Sequence, residues 1–259
     1  MDLFLAQFAK LFPELNLALG AGIMVFSRLL GLMQFAPPFN RKEVPSLVRL
    51  SMALIITVIV TMLIKPQPIP PNTSIMMGIL LNYAFGAILG YIANCILAAI
   101  SAGGDMINTQ MGLSSAMVLD PTTRSQTSIL GNYFTILGLI IFISAGGAYW
   151  LLNAFIRSFD VFGMYQTVIP LAQVINIDYL VIITSNVLYF GMQLAAPVLL
   201  ATLGQDIILG IISKTAPQVN VFQLSFLFKP VMGALILIWI LPMLINVITD
   251  YMTSYASIF

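Results

Sequence analysis

Arg28 stands inside one long apolar run of this 259-residue chain and Asp206 closes another. An ionisable side chain at membrane depth is by default a functional site with a partner, so both are candidates for an ion or solute pathway, or for structural pairing between helices. Beyond these two, the groups that carry chemistry are few. The nine carboxylates are scattered singly, there is no histidine, and the one cysteine, Cys95, lies in an apolar run. Ser-His-Asp and Cys-His catalysis are excluded on those grounds, as are disulfide frameworks and Cys/His metal sites. With no paired catalytic groups, the residues point to a protein that is not an enzyme, with no metal and no cofactor. A net charge of +1 without Lys/Arg clusters sets nucleic acid aside.

A second feature is the stretch "NTQMGLSSAMVLDPTTRSQT", from Asn108 to Thr127, whose Gly/Ser/Met part is bracketed by Asp105 and Asp120. Asp120-Pro121 has the form of a helix start, with the carboxylate as N-cap and proline at the first helical position. Before it, Met106, Met111 and Met117 fall close together, although the whole chain has only 15 methionines. Methionine is flexible and polarizable, Gly112 gives backbone freedom, and Ser114 and Ser115 give modest polarity. Such a loop reads either as a compliant seal able to close a pore or as ordinary packing in a Met-rich chain.

The elements that position these features are dictated by composition. Sixty per cent of residues are hydrophobic, 7% are charged and the mean hydropathy is +1.02, whereas a soluble domain carries about a quarter charged residues. An integral membrane protein, or a subunit hiding equally apolar faces in a membrane complex, is implied. Six segments reach the roughly 20 residues that a span requires: Leu15–Phe35, Ser46–Ile64, Ile75–Ala102, Ile129–Leu152, Ile177–Leu203 and Val231–Thr249. They lack the alternation of barrel strands, so the expected fold is all-α, with about six long helices, several of them broken or kinked. Segment three is rich in small residues and segment five contains Pro197, which suits chains that line a cavity or wedge against neighbours.

Arg41, Lys42, Arg49, Arg124, Lys214 and Lys229 fall on one face, against Lys10, Lys65 and Arg157 on the other. The positive-inside rule then places the loops that carry the six, between segments one and two, three and four, and five and six, in the cytoplasm and both termini outside. Phe155, Ile156, Phe159 and Phe162 share a helical face opposite Arg157 and Asp160, as expected of a helix in a membrane interface or against a partner. The N-terminal stretch with Phe4, Phe8, Leu11 and Phe12 has the same pattern.

Two motifs carry a resemblance. "QMGLSSAMVLDP" (Gln110, Met111, Gly112, Leu113, Ser114, Ser115, Ala116 and Met117, through Asp120 and Pro121) lies between segments three and four. "AAPVLLATLGQDIILGIISKTAPQVNVFQLSFLFKP" spans Ala195 to Pro230, with Pro197, Asp206, Pro217, Gln218, Asn220, Phe222 and Lys229. With these motifs and its segment order, the chain resembles the FliR/SctT family of bacterial export-gate proteins of type III secretion, as one domain over residues 1–259. The resemblance implies a non-enzymatic conduit for unfolded secreted chains, in the bacterial inner membrane. Its implied partners are FliP-, FliQ-, FlhB- and FlhA-type subunits, besides membrane lipid. It also implies that Gln110–Pro121 is a pore plug, and that helices pack against other subunits as much as lipid. The chain departs from many members in having Ser115 where they have an aromatic residue. The second motif leans towards the flagellar branch. The rival expectation is a stand-alone secondary transporter with its site near Arg28 and Asp206.

Overall fold

A computed structural model of the chain describes residues 13–41, 43–64, 70, 74–113, 128–166 and 177–256. Among the described residues all regular structure is helical: α1 (Pro13–Phe35), α2 (Ser46–Leu63), α3 (Ile75–Gln110), α4 (Ile129–Ser144), α5 (Gly147–Val161), α6 (Ile177–Thr215) and α7 (Val221–Ala256). Five of these are long and apolar enough to cross a membrane, or six if the bent pair α4 and α5 makes one span. The all-α, membrane-type fold expected from hydropathy is the one found.

Helix ends differ from the apolar windows in an orderly way. The third, fifth and sixth segments run on to Gln110, to Thr215 and from Val221 to Ala256. An apolar window reports the hydrocarbon-facing stretch, whereas backbone bonding continues through residues such as Asp105 and Thr109, which are exposed. The fourth segment, expected to continue to Leu152, breaks at Ala145–Gly146. There Ala145 N–H donates to Ile141 O (2.8 Å) and Gly146 N–H to Ile143 O (3.1 Å). Gly146 has φ +86°, a value that stops a helix and favours glycine. The Phe142 ring occupies the place where a side chain on Gly147, the first residue of α5, would begin.

The chain divides into two compact units. The first holds α1, α2, α3 through Asn94, and α5 from Ala148; the second holds α3 from Cys95, α4, α6 from Val181, and α7. In the first, Gly78, Asn82, Gly86 and Gly90 recur every four residues and so form one stripe of α3. A side chain on Gly86 would run into the Arg28 carbonyl, and one on Gly90 into the Leu32 carbonyl. Glycine here lets α1 and α3 approach backbone to backbone, the membrane packing mode. Ser27 Oγ adds a 2.6 Å bond to Ile79 O. Between α1 and α2 lies an apolar groove of about 420 Å³, edged by Ala18, Gly22, Thr57 and Thr61. Both threonine hydroxyls donate to their own helix, Thr57 to Ala53 O (2.6 Å) and Thr61 to Thr57 O (2.7 Å).

In the second unit, α7 buries a single stripe: Gly233, Leu237, Ile240, Leu244, Ile248 and Met252. Its other faces are exposed and apolar, with Trp239 84% exposed. Lipid tails are as apolar as leucine, so burial against another helix gains little in hydrocarbon; close packing and polar bonds hold such helices instead. Gly103 against Leu194 and Gly191, and Gly104 against the Leu130 carbonyl, supply the close packing. Phe190 stacks on Tyr251 with ring centroids 3.6 Å apart, tying α6 to α7.

Candidate functional site

The edge of the Asn108–Thr127 stretch is built by the end of α3. Gly112 has φ +75°, its N–H donates to Thr109 O (3.1 Å), and Leu113 N–H donates to Asn108 O (3.2 Å). Those two bonds are the paired closures of a Schellman motif with glycine in the left-handed position. The glycine singled out for backbone freedom thus stops α3. Met111, beside it, is 3% exposed and packs on Gly233 of α7. On the far side of the stretch, Ser128 caps α4 by accepting from Gly131 N–H at 2.9 Å. Asn108 Oδ1 reaches across to Leu130 N–H at 3.5 Å. Leu113 and Ser128, the residues flanking 114–127, are therefore held at one place in the second unit. Of the residues assigned to a plug, Gln110, Met111, Gly112 and Leu113 fall here. Ser114, Ser115, Ala116, Met117, Asp120 and Pro121 lie outside the described residues, as does Arg124.

Asp206 and Lys229 sit at the turn-side end of the α6–α7 pair. Lys229 Nζ stands 2.7 Å from Asp206 Oδ1 and 3.0 Å from Oδ2. The two charges first read singly are thus one ion pair, in which Asp206 keeps 39% of its side chain exposed. The turn between the helices carries Pro217 and Gln218, both exposed. Asn220 caps α7, its Oδ1 accepting from Gln223 N–H (3.3 Å). Phe222 is 82% exposed, an outward face rather than core. Pro197 lies within α6, and α7 adds Pro230 and Pro242, each of which removes an N–H from its helix.

Arg28 is fully buried in the first unit. Nε and Nη2 both donate to Asn82 Oδ1 (3.0 and 2.7 Å), Nη1 donates to Ser158 Oγ (2.8 Å), and Nη2 donates also to Phe162 O (2.7 Å). Asn82 is fully engaged, since its Nδ2 donates to Gly78 O (2.8 Å) and Met164 O (2.9 Å). The Phe159 ring centroid lies 3.9 Å from the guanidinium carbon, with Phe85 and Phe162 at 5.2 and 5.5 Å. Among the described residues no carboxylate pairs with it. Its compensation is the negative end of α5, whose terminal carbonyls are unpaired by the helix, together with an amide oxygen and three aromatic faces. Phe155, Phe159 and Phe162 thus turn into the unit's own core, correcting their assignment to a membrane interface or partner. A buried guanidinium needs that cover.

Sequence reasoning missed Asn82, Ser158 and Gly233. The available signal was Asn82 in an apolar run, at the four-residue spacing it shares with Gly78, Gly86 and Gly90.

The comparisons with known proteins decide the rest. A family model described as bacterial export proteins, family 1, matches residues 19–255. The chain belongs to this family. Similar curated proteins, each named flagellar biosynthetic protein FliR, come from Bacillus subtilis, Pectobacterium carotovorum and Escherichia coli. The first is 29% identical over 220 residues, covering 84% of this chain and 85% of the relative. The second is 27% identical over 227 residues (85% and 83%), and the third 24% over 222 residues (84% and 82%). The FliR-type resemblance read from residues 110–121 and 195–230 is the family found. Membership makes the chain a membrane-embedded export component and not an enzyme.

Proposed function

We propose that this chain, acting as one FliR-type domain over residues 1–259, is a structural subunit of the protein-conducting gate of a flagellar type III secretion system in the bacterial inner membrane. Residues 108–121 act as its pore plug. The observation that carries this reading is the base of the stretch. α3 stops at Gly112, α4 restarts at Ser128, and Asn108 ties the two together, so the two ends of the stretch are held side by side in the second unit. Methionine, glycine and serine there make a seal that adapts its shape. FliP-, FliQ-, FlhB- and FlhA-type subunits are the proposed partners, and unfolded secreted chains the cargo. The large exposed apolar faces of α2, α6 and α7 suit helix neighbours as well as lipid.

The stand-alone transporter reading has less support. Arg28 spends four hydrogen bonds on neutral groups and is fully buried, and Asp206 is paired with Lys229. Purification in mild detergent separates the two readings. A gate subunit copurifies with small hydrophobic partner subunits and moves no solute when reconstituted alone. Recovery as an isolated monomer that drives solute uptake in liposomes overturns the gate.

A further inference from the structure

We infer that Gly233 of α7 is a seat for Met111, and that the Asp206–Lys229 ion pair one turn away sets the register of that seat. Displacement of the α6–α7 pair is thereby passed to the end of α3. The inference rests on the plug reading only for its consequence. The seat itself stands on geometry within the second unit.

Met111 is 3% exposed although it lies at a helix end. A side chain on Gly233 would begin 2.5 Å from its Cγ, 2.9 Å from Sδ and 3.0 Å from Cε. Even alanine at 233 therefore displaces Met111, and because methionine is flexible it is the side chain rather than the helix that gives way. Lys229 precedes Gly233 by four residues and so occupies the same face of α7. That face continues as the buried stripe Leu237, Ile240, Leu244, Ile248 and Met252. Asp206 stands at the matching end of the inward positions Val198 and Thr202 of α6. The ion pair is the charged end of the same seam that carries the seat.

Pro230 lies between Lys229 and Gly233 and has no N–H to bond, so this turn of α7 bends more readily than a regular one. Far along the seam the Phe190–Tyr251 stack holds the two helices together. Loss of the ion pair thus frees the seat end of α7 while the other end stays fastened. Met111 then loses its backing, and with it the Schellman closure at Gly112 that fixes where the chain leaves the helix.

The test uses the full chain in its assembled membrane complex. Leu113→Cys is introduced together with Cys95→Ala, and the rate of maleimide labelling is read. Gly233→Leu and Asp206→Lys are each expected to raise labelling several-fold. Adding Met111→Ala to Gly233→Leu, or Lys229→Asp to Asp206→Lys, is expected to return it towards the starting rate. Where Gly233→Leu does not assemble, Gly233→Ala is read in its place. Unchanged labelling in the single variants, or no rescue in the paired ones, overturns the seat. Resting ion leak is measured in parallel on a deletion of Gln110–Ala116. A tight deletion removes the plug reading whatever the labelling shows, whereas a leaking deletion with unmoved labelling removes the seat alone.

Discussion

The two compact units of this chain are held by different means. The first is organised around a buried cation whose bonds to Asn82, Ser158 and Phe162 are short and directional. Both use glycine contacts between helices, but what distinguishes the second is a methionine seat and one partly exposed ion pair. Directional bonds to a charge in a low-dielectric interior tolerate little displacement, because an unpaired buried charge is costly. Methionine-on-glycine packing tolerates more, since the side chain can rearrange without losing a hydrogen bond. On the gate function proposed above, the first kind suits a fixed frame and the second suits a part that has to yield.

Substitutions break this comparison in a graded order. The largest effect is expected for Asn82→Leu, which strips two of the four bonds from Arg28 and leaves a buried charge with only Ser158, the Phe162 carbonyl and the aromatic faces, a loss of about 3–5 kcal/mol. Heat stability of the detergent-solubilised complex checks it. Arg28→Met is expected to cost less, about 1–3 kcal/mol, because the charge leaves together with its bonds and only neutral acceptors are stranded. If Arg28→Met proves the worse of the pair, the buried-cation account of the first unit is wrong. Gly86→Ala forces a methyl into the Arg28 carbonyl and is expected to destabilise by about 1–3 kcal/mol, as overpacking does. That loss should exceed the gain in helix propensity that alanine normally brings. Smallest is Asp206→Asn in the second unit, expected to cost about 0.2–1 kcal/mol because the pair is partly exposed, and to cost less as salt is raised. Its signature is on resting leak more than on melting temperature.

How much of this was legible in the sequence depends on the range of the interaction. Local features were readable: the helical segments from apolar run length, Gly112 as a special backbone position, and Pro197 as a helix interruption. The break at Gly146 was not, because hydropathy stays high across Ile140–Leu152 and a window cannot register one left-handed residue. Arg28 was recognisable as a group in need of a partner, but its partners lie 54, 130 and 134 positions away. None is a carboxylate, so no charge pattern pointed to them. The amphipathic stripe of Phe155, Phe159 and Phe162 announced that something covers it, without saying that the cover is the core of the chain's own first unit. Asp206 and Lys229 were both noted in one motif, and their pairing follows from their similar distances from the turn at 216–220. The value of Gly233 emerged only from Met111, a neighbour 122 positions earlier in the chain.

The most direct test of the gate account is the resting ion conductance of membranes carrying the assembled complex in which Gln110–Ala116 has been deleted. The account predicts an assembled complex that leaks ions at rest where the unaltered one is tight. A deletion complex that assembles and stays as tight as the unaltered protein contradicts it.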